Sequence, residues 1–114
     1  MLSNILTALV ALEHVYILVT EMFLWTTPYG RRAFGLTEEK AAATRELAAN
    51  MGLYNGFLAA GLAWSFVAPD PRPIRLFFLG CVVVAGVFGG LTAMRKILYL
   101  QGLPAALALV ATLL

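Results

Sequence analysis

Charge is what this sequence has least of. Asp, Glu, Lys and Arg together make up 12% of its 114 residues, where a water-soluble domain carries about 25%. Half the usual complement cannot coat a globule of this size for water. Cysteine is nearly absent too: Cys81 stands alone. An intramolecular disulfide and a paired-cysteine metal or redox site are therefore excluded, and the thiol serves as a small apolar filler. His14 is the one histidine, so ligation of haem by two histidines needs a second subunit. With the neighbouring Glu residues it has no zinc-site spacing, and no metal ligands are assigned. No Ser-His-Asp order, HExxH pair, phosphate loop or dinucleotide fingerprint occurs. Gly86-x-x-Gly89-Gly90 lies inside an apolar run, where a phosphate loop has no place. The net charge of +2 comes from dispersed basic residues, which gives nucleic acid nothing to bind.

What is present is apolar sequence in long blocks, 61% of the chain. Four blocks approach the roughly 20 residues that cross a hydrocarbon core: 2–25, 48–68, 74–93 and 97–114. The fold expected is all-α, a transmembrane four-helix bundle with short loops, forming a single integral membrane domain over residues 1–114. The first block lacks a basic start, is longer than a signal core and is interrupted by Glu13, His14 and Glu21. It is read as a mature helix rather than a cleaved signal. Arg31, Arg32, Lys40 and Arg45 lie between the first two spans, Arg95 and Lys96 between the last two, and only Arg72 and Arg75 between the second and third. By the positive-inside rule the first two groups face the cytoplasm and both termini lie outside.

Along the chain, Ser3 and Asn4 are placed to cap the first helix, and Trp25 suits a membrane interface. Pro28 and Gly30 break the helix. Thr37 is a good N-cap, followed by Glu38 and Glu39, which the helix dipole favours in a first turn. Residues 41–66 hold no proline, so one continuous helix starting near residue 37 is expected there. Pro69-Asp70-Pro71-Arg72-Pro73 then forms a stiff turn that cannot continue it. Small residues at Ala48, Gly52, Gly56 and Ala60, and again at Gly86 and Gly90, mark faces on which helices approach closely in lipid. They serve packing within the chain or a homo-oligomer.

Ionisable groups in lipid are costly and turn toward a bundle interior, a partner or water. His14 and Glu21 are seven residues apart, about 700° of rotation, and so lie about 20° apart on one helix face. Glu46, Asn50 and Tyr54 form one row on the second span, while Asn55 shares a different face with Gly52 and Ala59. Glu21 is expected to meet Arg45 by charge, with His14 deeper, toward Asn50, Tyr54 or Asn55. Gln101 opens the last span before Pro104. The candidate ligand-binding set is therefore His14, Glu21, Arg45, Asn50, Tyr54, Asn55 and Gln101. Two readings stay open for it: a polar network that fixes helix register, or a pocket for a lipophilic or ionic ligand.

Ala11-Leu-Glu-His14, Glu21-Met-Phe-Leu-Trp-Thr-Thr-Pro28 with Gly30-Arg31, and Leu47-Ala-Ala-Asn50 followed by the 52–60 stretch carry a resemblance. So do Phe34-Gly-Leu36, Cys81, Ala85-Gly86 and Gln101-Gly-Leu-Pro104. Across the whole chain these segments resemble the bacterial and fungal family of small membrane proteins called domain of unknown function 1304. Met51 departs from that pattern, where glutamine is expected. The resemblance implies about four helices and, with the charge asymmetry, a multi-pass protein of a bacterial inner membrane. It implies no activity, cofactor or catalytic residue. The function expected first is binding or passage of a small molecule or ion through the polar interior, with the lipid bilayer as partner. The alternatives are an enzyme acting on a lipophilic substrate, with His14 as base or axial ligand, and a structural or assembly subunit built on the glycine faces.

Overall fold

A computed structural model describes residues 1–114, with helix over 84% of them and no strand, so the protein is all-α. The helices are α1 (Leu2–Phe23), α2 (Pro28–Phe34), α3 (Glu38–Ala43), α4 (Arg45–Trp64), α5 (Pro71–Thr92), α6 (Arg95–Ile97) and α7 (Leu103–Leu113). A π-helical turn, Leu98–Gly102, joins the last two into one rod. Three helical rods are long and apolar enough to cross a membrane: Leu2–Phe23, Pro71–Thr92 and Arg95–Leu113. The 20 residues of α4 occupy the place of the second expected span. Arg45, Glu46, Asn50 and Asn55 dilute its apolar character below that of the other three.

Local chemistry moves several boundaries from where the apolar pattern puts them. The run from Thr37 to Trp64 is two helices rather than one continuous helix, because Thr44 breaks it with φ −107° and ψ 9°. Its hydroxyl donates to the Lys40 carbonyl at 2.7 Å and accepts from Trp25 Nε1 at 2.9 Å. Back-bonding of this kind bends helices. The proline-rich turn ends earlier than expected, and α5 begins at Pro71 itself. Prolines in a first helical turn lack only N–H groups that would have no partner there. Ser3 and Asn4 lie within α1 rather than capping it. Gln101 sits inside the π turn rather than opening the last span. Pro104, just beyond, has no N–H for the Leu100 carbonyl and crowds it, which opens the ladder by one residue. The Leu103 amide accordingly reaches back to the Leu98 carbonyl.

The chain divides into two compact units, Met1–Glu13 with Leu58–Leu114, and His14–Phe57. The first is centred on Val10, Leu62, Leu79, Val82, Ala105 and Ala108. Its helices meet at glycine: a Cβ on Gly90 would lie 2.5 Å from Leu98 Cβ, and one on Gly61 would meet the Phe78 ring at 2.3 Å. In the second unit, Thr27 caps α2 by accepting from the Gly30 amide at 3.1 Å, and Gly35, with φ 64°, ends it. Thr37 caps α3 in the same way through the Lys40 amide at 3.1 Å. Trp25 lies against Phe34 with ring centroids 4.7 Å apart. Gly52 and Gly56 bring α4 against the α1 side chains of Leu18, Glu21 and Met22.

Candidate intramembrane polar site

The second unit holds a buried carboxylate. Glu21, on the last turn of α1, is 5% exposed, and its Oε1 accepts from Asn55 Nδ2 of α4 at 2.7 Å. The same nitrogen donates to the Met51 carbonyl one turn back, at 3.0 Å. Both amide protons are thus committed, and the Asn55 side chain is held in one orientation. The residue that permits the pairing is Gly52, since a Cβ there would lie 3.1 Å from Glu21 Cβ and 2.6 Å from Met22 Cγ. Gly56 does the same a turn later against Leu18 Cδ1, at 2.5 Å.

The other candidate residues are distributed unevenly around this pair. His14 is buried at 1% exposure, two turns before Glu21 on the same face of α1. Arg45 and Asn50 are exposed on α4, and so is Tyr54, which packs beside Phe57. Glu21 therefore takes its bond from Asn55 rather than from Arg45. The small side of α4, with Ala48, Gly52 and Ala59 buried, is the side that approaches α1, and it carries Asn55 with it. Gln101 is half-buried in the π turn of the first unit. Near the α2 end of α1, the hydroxyls of Tyr16 and Tyr29 are hydrogen-bonded to each other. No group of three or more His, Cys, Asp or Glu side chains is arranged to hold a metal.

One polar cluster escapes sequence reasoning altogether. Arg75, read as a topology marker, is 6% exposed. Its Nε donates to Ser65 Oγ at 3.0 Å, and its Nη1 donates to Asn4 Oδ1 at 2.6 Å and to Ser3 Oγ at 3.3 Å. Ser3 Oγ is also bonded to Thr112 Oγ1 at 2.8 Å. The available signal is position: Arg75 stands a turn inside α5, directly before Leu76-Phe77-Phe78, where a merely interfacial charge has no reason to be.

The sequence profile of the family described as Protein of unknown function (DUF1304) matches residues 8–113. The chain belongs to this family. It is also similar to an uncharacterised protein, YpaA, of Lactococcus lactis subsp. lactis (strain IL1403). The two are 34% identical over 115 residues, which cover 97% of this chain and 96% of the relative. The family match therefore covers Glu21, Asn55, Ser65 and Arg75, though not Ser3 and Asn4, and brings no activity with it. No solved structure matches.

Proposed function

We propose that this family member is a four-span protein of a bacterial inner membrane, whose buried Glu21–Asn55 pair, with His14 on the same face of α1, binds or passes a small molecule or ion. In this reading α4 is the remaining span. At 1.5 Å per residue its 20 residues reach about 30 Å, the thickness of a hydrocarbon core. Arg31, Arg32, Lys40 and Arg45, with Arg95 and Lys96, then face the cytoplasm, and both termini face away from it. The bilayer is the partner.

The observation that carries the reading is the Glu21 carboxylate, buried and bonded to a neutral amide. One hydrogen bond from an amide orients a carboxylate without neutralising it. A carboxyl group so placed takes up a proton or a cation, or pairs with a cationic group of a ligand. A purely structural network needs no ionisable member, since an amide would serve the same geometry. The glycine faces that would serve an assembly subunit or homo-oligomer are used within the chain by Gly52, Gly56, Gly86 and Gly90, which favours the ligand reading over the assembly one.

The test is ion flux in liposomes holding the full chain, under imposed proton, sodium or potassium gradients. Wild type should conduct at least one of these above protein-free vesicles, and Glu21→Gln should abolish it while leaving the protein folded. Equal flux from wild type, Glu21→Gln and empty vesicles, with thermal stability indifferent to pH and to both cations, removes the reading.

A further inference from the structure

Arg75 is a cation whose every partner in the chain is neutral. Ser65, Ser3 and Asn4 take its Nε and Nη1 protons, and the Phe66 ring lies 4.6 Å from its guanidinium carbon. The carboxylates of the same unit, those of Glu13, Asp70 and the Leu114 terminus, are not among its hydrogen-bond partners. Guanidinium stays protonated under all ordinary conditions, so this charge is permanent. Holding it in a low-dielectric site without a counter-ion is costly.

The arrangement also leaves one edge free. Nη2 makes no hydrogen bond within the chain and, though Arg75 is 6% exposed as a whole, is not fully enclosed. Four anchors fix the plane of the group, so this edge points in a set direction. Arg72 lies one turn back on α5 and is exposed, with its Nη2 against the Leu113 carbonyl at 3.3 Å. It adds a second positive charge on the same side of the helix. Against Arg75 stands Phe66, 44% exposed, followed in the chain by Val67, 81% exposed, an apolar border of the kind acyl chains cover. Arg75 is four residues into α5, about 6 Å from its start, which puts its backbone just inside the apolar layer of a spanning helix and leaves its long side chain within reach of the headgroups.

We propose that Arg75 is the centre of a phosphate-binding site, its free guanidinium edge taking the oxygens of a lipid headgroup phosphate or of a soluble phosphate. With Nε and Nη1 anchored, the two N–H groups of Nη2 remain to donate to phosphate oxygens, and the charge strengthens such bonds. A phosphate bound there supplies the counter-ion that the neutral partners of Arg75 do not. It is independent of the Glu21–Asn55 pair, which lies in the other unit.

The test uses the full chain in detergent, with three probes: phosphatidylglycerol, diacylglycerol with the same acyl chains, and inorganic phosphate against a chloride control. Phosphatidylglycerol should raise Tm and be retained in native mass spectra, while diacylglycerol does neither. A rise with inorganic phosphate alone assigns the site to a soluble phosphate. If neither phosphate-bearing probe differs from its control, the proposal is overturned. Arg75→Lys keeps the charge and loses the anchored planar group with its free Nη2, and should weaken retention about ten-fold or more. Should that variant fail to fold, Asn4→Leu, at an exposed position, removes one anchor and should weaken retention in the same direction. Retention unchanged in every foldable variant of this pair, or lost only in Arg72→Gln, sinks the assignment to Arg75.

Discussion

Gly86 of α5 and Gly102 of the π turn meet backbone to backbone: a Cβ on Gly86 would lie 2.6 Å from both the Cα and the amide nitrogen of Gly102. No side chain stands between them to move aside. This contact sets how closely α5 approaches the rod formed by α6, the π turn and α7. The Gly90 contact with Leu98, one turn further along, reinforces it.

Gly86→Ala should therefore destabilise the protein by about 1–3 kcal/mol, the range for overpacking a filled contact. Gly80 is the control, because a Cβ there meets nothing within 4 Å. Gly80→Ala should be neutral or stabilising by up to about 1 kcal/mol through helix propensity alone. Thermal unfolding in detergent checks both. Equal effects at the two positions would mean that the Gly86–Gly102 approach is not what holds these helices together.

The same logic separates two glycines of the other unit. At Gly30 a Cβ would lie 1.9 Å from the Leu24 carbonyl oxygen, an overlap with backbone that no rotamer relieves. At Gly35 there is open space, but φ is 64°. Gly35→Ala should cost about 1 kcal/mol from the left-handed conformation alone, and Gly35→Asn less, since asparagine tolerates that region. Gly30→Ala should cost more than either, displacing α2 from the end of α1. Protease sensitivity of the 28–36 segment, measured beside Tm, reads that displacement directly.

The parts of the fold that were legible in the sequence are those written locally. Scarce charge and long apolar runs place α1, α5 and the last rod, and Thr37 caps α3 as its residue type suggests, whereas α2, capped by Thr27 and ended by Gly35, stands where Pro28 and Gly30 announced only a break. The parts that were not legible join distant residues. Asn4 and Arg75 are 71 positions apart, and nothing in the periodicity near either one names the other. The His14–Glu21 face of α1 follows from helix geometry, whereas the choice of Asn55 over Arg45 as partner depends on which side of α4 is small enough to approach. Thr44 reads as an ordinary helical residue until Trp25 is seen to reach it. Pro104 announces a disturbance without saying that it takes the form of a π turn.

The Trp25–Thr44 bond is itself testable. Trp25→Phe keeps an aromatic ring against Phe34 and removes the Nε1 donor. Thr44→Val keeps the shape and removes both the acceptor and the back-bond to Lys40. Trp25→Phe should cost about 0.5–1.5 kcal/mol, the net worth of one hydrogen bond, and Thr44→Val at least as much, since it loses two. The double variant should cost less than the sum, by an interaction of about 0.5 kcal/mol or more. Additive costs would show that the indole and the hydroxyl act independently, leaving the break between α3 and α4 to the Thr44 back-bond alone.

The Glu21–Asn55 pair makes the sharpest prediction, because its members differ in what they leave behind. Glu21→Gln retains an oxygen for the Asn55 amide, so stability should change by less than about 1 kcal/mol while any proton or cation response disappears. Glu21→Leu leaves an amide N–H of Asn55 unmatched and should cost about 1–3 kcal/mol. Asn55→Leu strips the carboxylate of its donor in the same buried position and should cost at least as much, since an unpaired carboxylate is worse to bury than an unpaired amide. Combining Glu21→Leu with Asn55→Leu replaces both polar groups by apolar ones and should recover part of either loss. That pattern of four melting temperatures distinguishes an interacting pair from two polar residues that happen to be neighbours. Recovery in the double variant, together with loss of ion response in Glu21→Gln alone, would separate the contact that holds α1 against α4 from the charge that gives the contact a use.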